Sequence, residues 1–176
     1  MTAWISIGYN GSIMPNIEYT ETDGRDLDIV TPLRQKLIVH HRERAPEYFQ
    51  GSYTRMDAAG NNRRLRERHA NDSIHMTIAR DTGTNKIIAY CISIVMNIHK
   101  EIRGEIYSIY VEPEYRDGVI GDNLMERALK WMNGRGAKRI VLAVSAGNEK
   151  VFDFYARFNF YPRITLLQQV KSKETG

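Results

Sequence analysis

The sequence predicts an α/β fold in which a mixed central β-sheet is flanked by helices. Apolar, β-branched runs alternate along the chain with segments that have helical periodicity. The strand predicted at 139–145 is continuously apolar between its ends, at 140–144, which is typical of a strand buried on both faces. Helices that pack over a sheet of mixed strand order form one of the standard layered architectures.

The order of the elements follows from periodicity and from turn residues. Thr31 is expected to cap a helix that has Pro32 at its first position, and loops are expected around Gly51 and Gly60. The predicted elements are a strand at 16–20, helices at 31–44 and within 45–70, strands at 74–80, 86–98 and 103–111, a helix at 120–133, a strand at 139–145, a helix at 148–158 and a strand at 164–170.

Length and composition limit the class of protein. The 176 residues suffice for one domain with a sizeable core, so we expect a single domain over 1–176 with its core at about 14–170. The net charge of +4 favours an anionic ligand. No apolar run is long enough to span a bilayer and the first residues lack a basic signal segment, which predicts a cytoplasmic protein. Cys91 is expected to be a small core residue.

The most informative segment is 106–125, where a strand-like run stops at Pro113. A loop with Arg116, Gly118 and Gly121 follows, and an amphipathic helix then begins. The first N–H groups of a helix have no partner inside it, and the helix dipole makes that end positive. A strand, a glycine-containing turn and a helix in this order are a common way to bind phosphates.

This segment resembles the acetyl-CoA-binding signature of the GNAT N-acetyltransferase superfamily. The usual loop has a first glycine where this chain has Val119, and Gly118 stands one position early. Glycine allows positive φ and a close approach to the ligand, and a β-branched valine does neither easily. Either the loop takes a shifted path that uses Gly118, or cofactor binding is weakened.

A second segment, 148–162, is similar to the helix that follows in the same family. Asn148 and Tyr155 are seven residues apart and fall on one helix face. Val151 replaces a small residue of the family pattern. Asn159 replaces the glycine that ends the helix, and asparagine is the next-best residue for a left-handed cap.

The resemblance implies two catalytic residues. Tyr155 would protonate the leaving thiolate, and Glu105 would act as the base that receives the proton of the amine. Strand alternation would place Glu105 on the face of Ile109 and Val111 and would put a second candidate, Glu112, on the opposite face. The structural alternatives are that Tyr155 only packs and that Glu105 forms a surface ion pair.

The resemblance also implies a binding site for acetyl-CoA as co-substrate. The backbone of the strand before Pro113 would hold the thioester and the pantetheine arm, in a gap that opens where strand pairing ends. The expected cofactor-binding residues are Ile109, Tyr110, Val111, Arg116, Asp117, Gly118, Val119, Ile120, Gly121, Asp122 and Asn148. No metal is expected, since His40 and His41 point about 100° apart on a helix and no further ligand stands at metal spacing.

The resulting prediction is an enzyme that moves an acetyl group from acetyl-CoA to a primary amine by direct transfer. A non-catalytic acyl-CoA sensor or scaffold is one alternative, for which Val119 is the best argument. A nucleic-acid-binding module that uses 63–68 is another, although that basic cluster contains no aromatic residue and is interrupted by Glu67. The structural alternative for this cluster is a solvated helix face.

The uncharged segment 164–170 bears on assembly. If it forms an edge strand, its backbone groups and apolar side chains need a partner. A second copy could cover them through a two-fold interface, and the resemblance to a family that often dimerises favours a homodimer. The alternative is that the strand pairs within its own sheet in a monomer.

Overall fold

The computed structural model of the protein describes residues 16–54, 56–116 and 119–169. The strands are β1 (Ile17–Asp23), β2 (Ile74–Asp81), β3 (Lys86–Ile98), β4 (Glu101–Val111) and β5 (Arg139–Leu142). The helices are α1 (Thr31–Arg44), α2 (Glu47–Thr54), α3 (Ala58–Arg68), α4 (Val119–Gly134) and α5 (Phe152–Ala156). Short 3-10 helices lie at Gly24–Val30, Asn71–Ser73, Pro113–Tyr115 and Glu149–Val151.

The five strands form one mixed sheet in sequence order. The neighbours from β1 to β4 are antiparallel, and β4 and β5 are parallel. One core cluster lies between the sheet and α1 and α3, and the other lies between the sheet and α4. The predicted fold class is therefore confirmed. Cys91 is a buried core residue as expected, and burial raises the pKa of its thiol to about 12.

The left-handed cap predicted at Asn159 is confirmed. Asn159, after α5, has a φ of 62°, and Gly136, after α4, also has a positive φ of 80°. The amide of Phe160 donates to the carbonyl of Tyr155 at 3.1 Å, and the amide of Asn159 donates to that of Ala156 at 3.0 Å. These two bonds are the pattern of a Schellman cap, in which asparagine takes the left-handed position.

Strand β4 contains a β-bulge that alternation in the sequence does not reveal. Ile92 of β3 lies opposite Ser108, whereas the next residue, Ser93, lies opposite Ile106. Tyr107 is thus an additional residue in β4. A bulge of this kind shifts the faces to which all later side chains of the strand point.

The bulge overturns the predicted placement of two carboxylates. Glu105 lies opposite Ile94, a member of the core cluster under α1, so its side chain is on the α1 face. Ile109 and Val111 pack in the cluster under α4, on the other face. Glu112 accepts a hydrogen bond from Tyr110, which packs on the α1 face. Glu105 therefore shares its face with Glu112 rather than with Ile109 and Val111.

Some of the predictions for α1, α2 and α3 are wrong. Thr31 is the first residue of α1 rather than its cap, because the 3-10 helix runs directly into α1 and the amide of Thr31 bonds Asp28. Gly51 and Gly60 lie within α2 and α3 instead of in loops. Asp57 caps α3 by accepting from the amide of Gly60 at 2.6 Å. A cap of this kind stabilises a helix start that glycine alone would disfavour.

The last third of the chain is less regular than predicted. Strand β5 stops at Leu142 and is partly exposed, so 139–145 is not a strand buried on both faces. The predicted helix at 148–158 is a 3-10 turn followed by the short α5.

The predicted strand at 164–170 does not form within the described residues, which end at 169. Residues 164–169 lie outside the sheet, with Leu166 90% exposed. Strand propensity depends on packing against neighbours, and the described residues place no strand beside this segment.

Candidate active site

A cavity opens where β4 and β5 separate. Their pairing ends at Ile106 and Leu142, while β4 continues to Val111. The cavity has a volume of about 430 Å³. It is lined by β4 residues 106–111, by 142–145 at the end of β5 and beyond, and by residues of α1, α4 and α5, so it reaches both faces of the sheet.

The edge of β4 presents backbone groups to this cavity. The amide of Glu112 donates to the carbonyl of Ile88 at 2.9 Å, on the β3 side. Because successive residues of a strand point their backbone groups to alternate sides, those of Ile109 and Val111 point toward the gap. The carbonyl of Val111 accepts a hydrogen bond from Nε of Arg116 at 2.8 Å. The remaining groups suit an extended ligand that binds like a strand.

Helix α4 begins beside the same edge. Gly121 lines the cavity, and a Cβ at this position would lie 3.0 Å from the ring of Phe154. Ile120 is buried in the core, and Val119 is 59% exposed at the start of the helix. The predicted binding residues Asp117 and Gly118, and with them the shifted path of the loop, lie outside the described residues.

Charges around the start of α4 favour an anion. The carboxylate of Asp122, in the first turn, is held by two hydrogen bonds from Arg157 at 2.7 and 3.0 Å. Arg116 also lines the cavity, with its guanidinium 5.5 Å from the ring centroid of Tyr110. The charge of Asp122 is therefore neutralised, while the positive end of α4 and the guanidinium of Arg116 remain able to attract an anion.

Tyr155 of α5 lines the cavity from the α4 face. Its ring packs against Phe154 at 5.2 Å and Phe160 at 6.5 Å between centroids. Burial raises the pKa of Tyr155 to about 12, so the hydroxyl stays protonated at neutral pH and is able to donate a proton. Asn148 lines the cavity as well, and its side chain makes no capping hydrogen bond to the following 3-10 helix.

Neither candidate carboxylate lines the cavity. The carboxylate of Glu105 lies 3.8 Å from the guanidinium of Arg103, which is the ion pair expected as the alternative to a catalytic role. Glu112 is buried, accepts from the hydroxyl of Tyr110 at 3.0 Å and pairs with Lys36 of α1. Glu112 thereby ties α1 to the end of β4.

One face of α1 contributes cavity residues that the motifs did not reveal. Arg34, Leu37, Ile38 and His41 all line the cavity, and His40 adjoins them. Their spacing of three and four residues places the first four on one helix face. Burial holds the pKa values of His40 and His41 below the usual range, so both rings are mainly neutral at neutral pH. The sequence does contain a signal for this face of α1, because Arg34 and His41 stand at helical spacing with the apolar residues Leu37 and Ile38.

Other features of the described residues bear on nucleic-acid binding, metal binding and membrane insertion. The basic cluster of α3 is a solvated face, where Arg63 pairs with Glu67 at 3.9 Å and Arg66 with Asp28 at 3.2 Å. Across 16–54, 56–116 and 119–169, no three His, Cys, Asp or Glu side chains are grouped so as to hold a metal. No helix in these ranges combines the length and apolar character needed to cross a bilayer.

Residues 38–160 match the family model of the acetyltransferase (GNAT) family. This range covers more than half of the chain. The chain belongs to the GNAT family. The resemblance that the two sequence motifs carry is thereby confirmed.

Curated relatives of this GNAT chain match it in part. A mycothiol acetyltransferase from Propionibacterium freudenreichii subsp. shermanii is 30% identical over 139 residues, which cover 77% of this chain and 40% of the relative. N-alpha-acetyltransferase 30 from Schizosaccharomyces pombe is 37% identical over 59 residues, which cover 34% of this chain and 39% of the relative. The chain thus spans less than half the length of these relatives.

Solved structures match the fold over most of the chain. A GCN5-related N-acetyltransferase from Ralstonia eutropha JMP134 has a TM-score of 0.69 at 23% identity, covering 88% of this chain and 99% of its own. A predicted acetyltransferase with acetyl-CoA from Clostridium acetobutylicum has a TM-score of 0.66 at 19% identity, covering 88% and 96%. At these identities the likeness shows the GNAT fold.

Proposed function

We propose that this GNAT protein moves an acetyl group from acetyl-CoA to a primary amine by direct transfer. The observation that carries the proposal is the edge of β4 at Ile109 and Val111, which faces the cavity beside the start of α4. The pantetheine arm of acetyl-CoA contains amides that pair with such an edge. Its pyrophosphate suits the positive end of a helix and the guanidinium of Arg116.

The proposed cofactor contacts extend from β4 through the start of α4 to Asn148. The pyrophosphate binds the amides of 116–122, which include Arg116, Ile120, Gly121 and Asp122. The pantetheine arm binds along Ile109, Tyr110 and Val111, and Asn148 approaches it from the other wall of the cavity. The presence of acetyl-CoA in the Clostridium acetobutylicum structure supports this ligand for a protein of the same fold.

Tyr155 acts as the general acid in the proposed reaction. A neutral amine attacks the carbonyl carbon of the thioester, and a C–N bond forms as the C–S bond breaks. The thiolate that leaves takes the proton of the Tyr155 hydroxyl. Positioning of the two substrates in one cavity supplies much of the rate gain, and the proton transfer adds to it.

The proton of the amine requires an acceptor. Glu105 is the acceptor that the family resemblance implies, yet its carboxylate pairs with Arg103 outside the cavity lining. His41 lines the cavity with a mainly neutral ring, which suits a base at neutral pH. We therefore propose Glu105 and His41 as competing candidates for the base.

The first prediction concerns the acid. Tyr155→Phe should lower kcat about ten- to a thousandfold while acetyl-CoA affinity changes little, because the phenyl ring keeps the packing and loses the proton. The control is Tyr161→Phe, which removes the same hydroxyl from a 69% exposed tyrosine. Release of free thiol from acetyl-CoA, measured over a broad panel of amines, checks the result. Equal rates for wild type and Tyr155→Phe would contradict the assignment.

The same assay separates the two base candidates. The variant that lacks the base, Glu105→Gln or His41→Gln, should lose most activity near neutral pH and regain it at high pH, where the amine is already deprotonated. A loss that is equal at every pH would show a positioning role instead. A protein that binds acetyl-CoA but accepts no amine would be a sensor or scaffold.

The second prediction concerns the phosphate site. Gly121→Glu should abolish acetyl-CoA binding, because it places a negative charge against the phosphates, whereas Gly121→Gln adds similar bulk beside Phe154 without the charge and should weaken binding less. Val119→Gly, which restores the family pattern, should bind equally well or better. Calorimetric titration measures all three. Indistinguishable affinities for the glutamate and glutamine variants would show that the phosphates bind elsewhere.

The third prediction concerns assembly, for which we propose a homodimer. Residues 164–169 expose Ile164, Leu166 and Leu167 with no charged neighbour among them, and a second copy would cover these side chains. Light scattering at micromolar concentration should give about twice the chain mass of 20.3 kDa. A particle with the mass of one chain would exclude the dimer.

A further inference from the structure

Arg34 is a buried cation on the side of the cavity that α1 supplies. Arg34 is only 5% exposed, yet it lines the cavity. Its guanidinium donates to the side-chain carbonyl of Asn62 and lies near the hydroxyl of Tyr90. It also lies over the ring of Tyr107, 5.5 Å from the centroid. These contacts engage only part of the five N–H donors that a guanidinium carries.

The charge of Arg34 has no ionic partner among the described residues. Three carboxylates on the α1 side of the sheet already have another cation: Asp28 has Arg66 at 3.2 Å, Glu112 has Lys36, and Glu105 has Arg103 at 3.8 Å. Burying an unpaired charge is costly, and the cost falls when an anion binds. Arg34 therefore leaves a positive charge facing the cavity.

The described lining of the cavity contains no carboxylate at all. Its basic groups are Arg34, Arg116, His40 and His41, and none of the other lining residues is Asp or Glu. An acceptor with several ammonium groups would find nothing to neutralise the groups that do not react. The lining thus disfavours polyamines and polycationic antibiotics as acceptors.

The two arginines of the cavity lie at different places along β4. Arg116 lies over Tyr110, beside the start of α4, where the cofactor phosphates bind in the proposed function. Arg34 lies over Tyr107, three residues earlier on β4, which is about 10 Å along an extended strand. It also approaches from α1, the helix that covers the opposite face of the sheet from α4.

We propose that the acceptor is a small amine that also carries a carboxylate, such as a free amino acid, and that Arg34 binds this carboxylate. A guanidinium matches the two oxygens of a carboxylate with two parallel hydrogen bonds. The ring of Tyr107 lies under the guanidinium and attracts its charge, which helps to keep Arg34 beside the cavity. This inference rests on the proposed acetyl transfer and adds the class of acceptor.

The test compares acceptors that differ only in the acid group. Alanine, phenylalanine and other amino acids are assayed for thiol release beside their amides and the corresponding amines without the carboxyl group. Wild type should favour the acids by about tenfold or more in kcat/KM, the scale of a hydrogen-bonded ion pair. Equal or better use of the amides and simple amines would overturn the proposal, while the acetyl transfer itself would stand.

Variants of α1 test whether Arg34 causes the preference for acceptors that carry a carboxylate. Arg34→Gln should raise KM for the acid about ten- to a hundredfold and remove the preference over the amide, with kcat and the affinity for acetyl-CoA little changed. Arg34→Lys keeps the charge and should retain part of the preference. Arg42→Gln, which removes a cation from an exposed position of the same helix, should behave as wild type.

Two results would count against the assignment of Arg34. A preference for acids that survives in Arg34→Gln would place the carboxylate elsewhere, and a selective loss of acetyl-CoA affinity would assign Arg34 to the cofactor. Failure of wild type to bind acetyl-CoA in a calorimetric titration would instead refute the proposed function. Since the wild-type comparison of acids and amides needs no variant, an unstable Arg34→Gln does not prevent a decision.

Discussion

The single extra residue in β4 is the constraint on which the site depends. The bulge at Tyr107 reverses the faces of the strand, so that Tyr110 and Glu112 pack toward α1 while Ile109 and Val111 pack toward α4. It also turns the backbone groups of Ile109 and Val111 away from β3. Because β5 ends at Leu142, these groups meet a gap rather than a neighbouring strand. Without the bulge, the backbone N–H and C=O groups of Ile109 and Val111 would form hydrogen bonds with β3.

Charge pairing around the gap is arranged so that its lining stays positive. Three acidic side chains of β4, its end and α4 are engaged by other groups: Asp122 by Arg157, Glu112 by Lys36 and Tyr110, and Glu105 by Arg103. Arg116 and Arg34 remain at different positions along β4, with neutral histidines beside them. A cavity that is cationic at two separate points suits two anionic ligands, one at each point. Burial of Tyr155 keeps a proton available between them.

The sequence predicts the parts of the fold that depend on local patterns. Helix α1 ends at Arg44 and β3 spans 86–98 as expected, and the extent of β3 follows from its long, nearly continuous apolar run. The left-handed cap at Asn159 follows from the tolerance of asparagine for positive φ. The two motifs likewise placed Tyr155, Arg116 and Gly121 around one cavity.

The remaining features depend on contacts distant in sequence. The bulge at Tyr107 exists only in the register between β3 and β4, and periodicity within one strand cannot show it. Gly60 is helical because Asp57 caps its amide. The role of Arg34 depends on which carboxylates its neighbours already bind. Residues 164–169 read as a strand because their composition favours one, yet the described chain gives them no strand to pair with.

Hydrogen exchange of the β4 amides tests most directly whether this edge binds acetyl-CoA. The amides of Ile109 and Val111 face the gap, whereas that of Tyr110 faces β3 and serves as an internal control. Saturating acetyl-CoA should slow exchange at Ile109 or Val111 at least about tenfold more than at Tyr110. Protection that is unchanged at both Ile109 and Val111, with acetyl-CoA shown to be bound, would contradict the account.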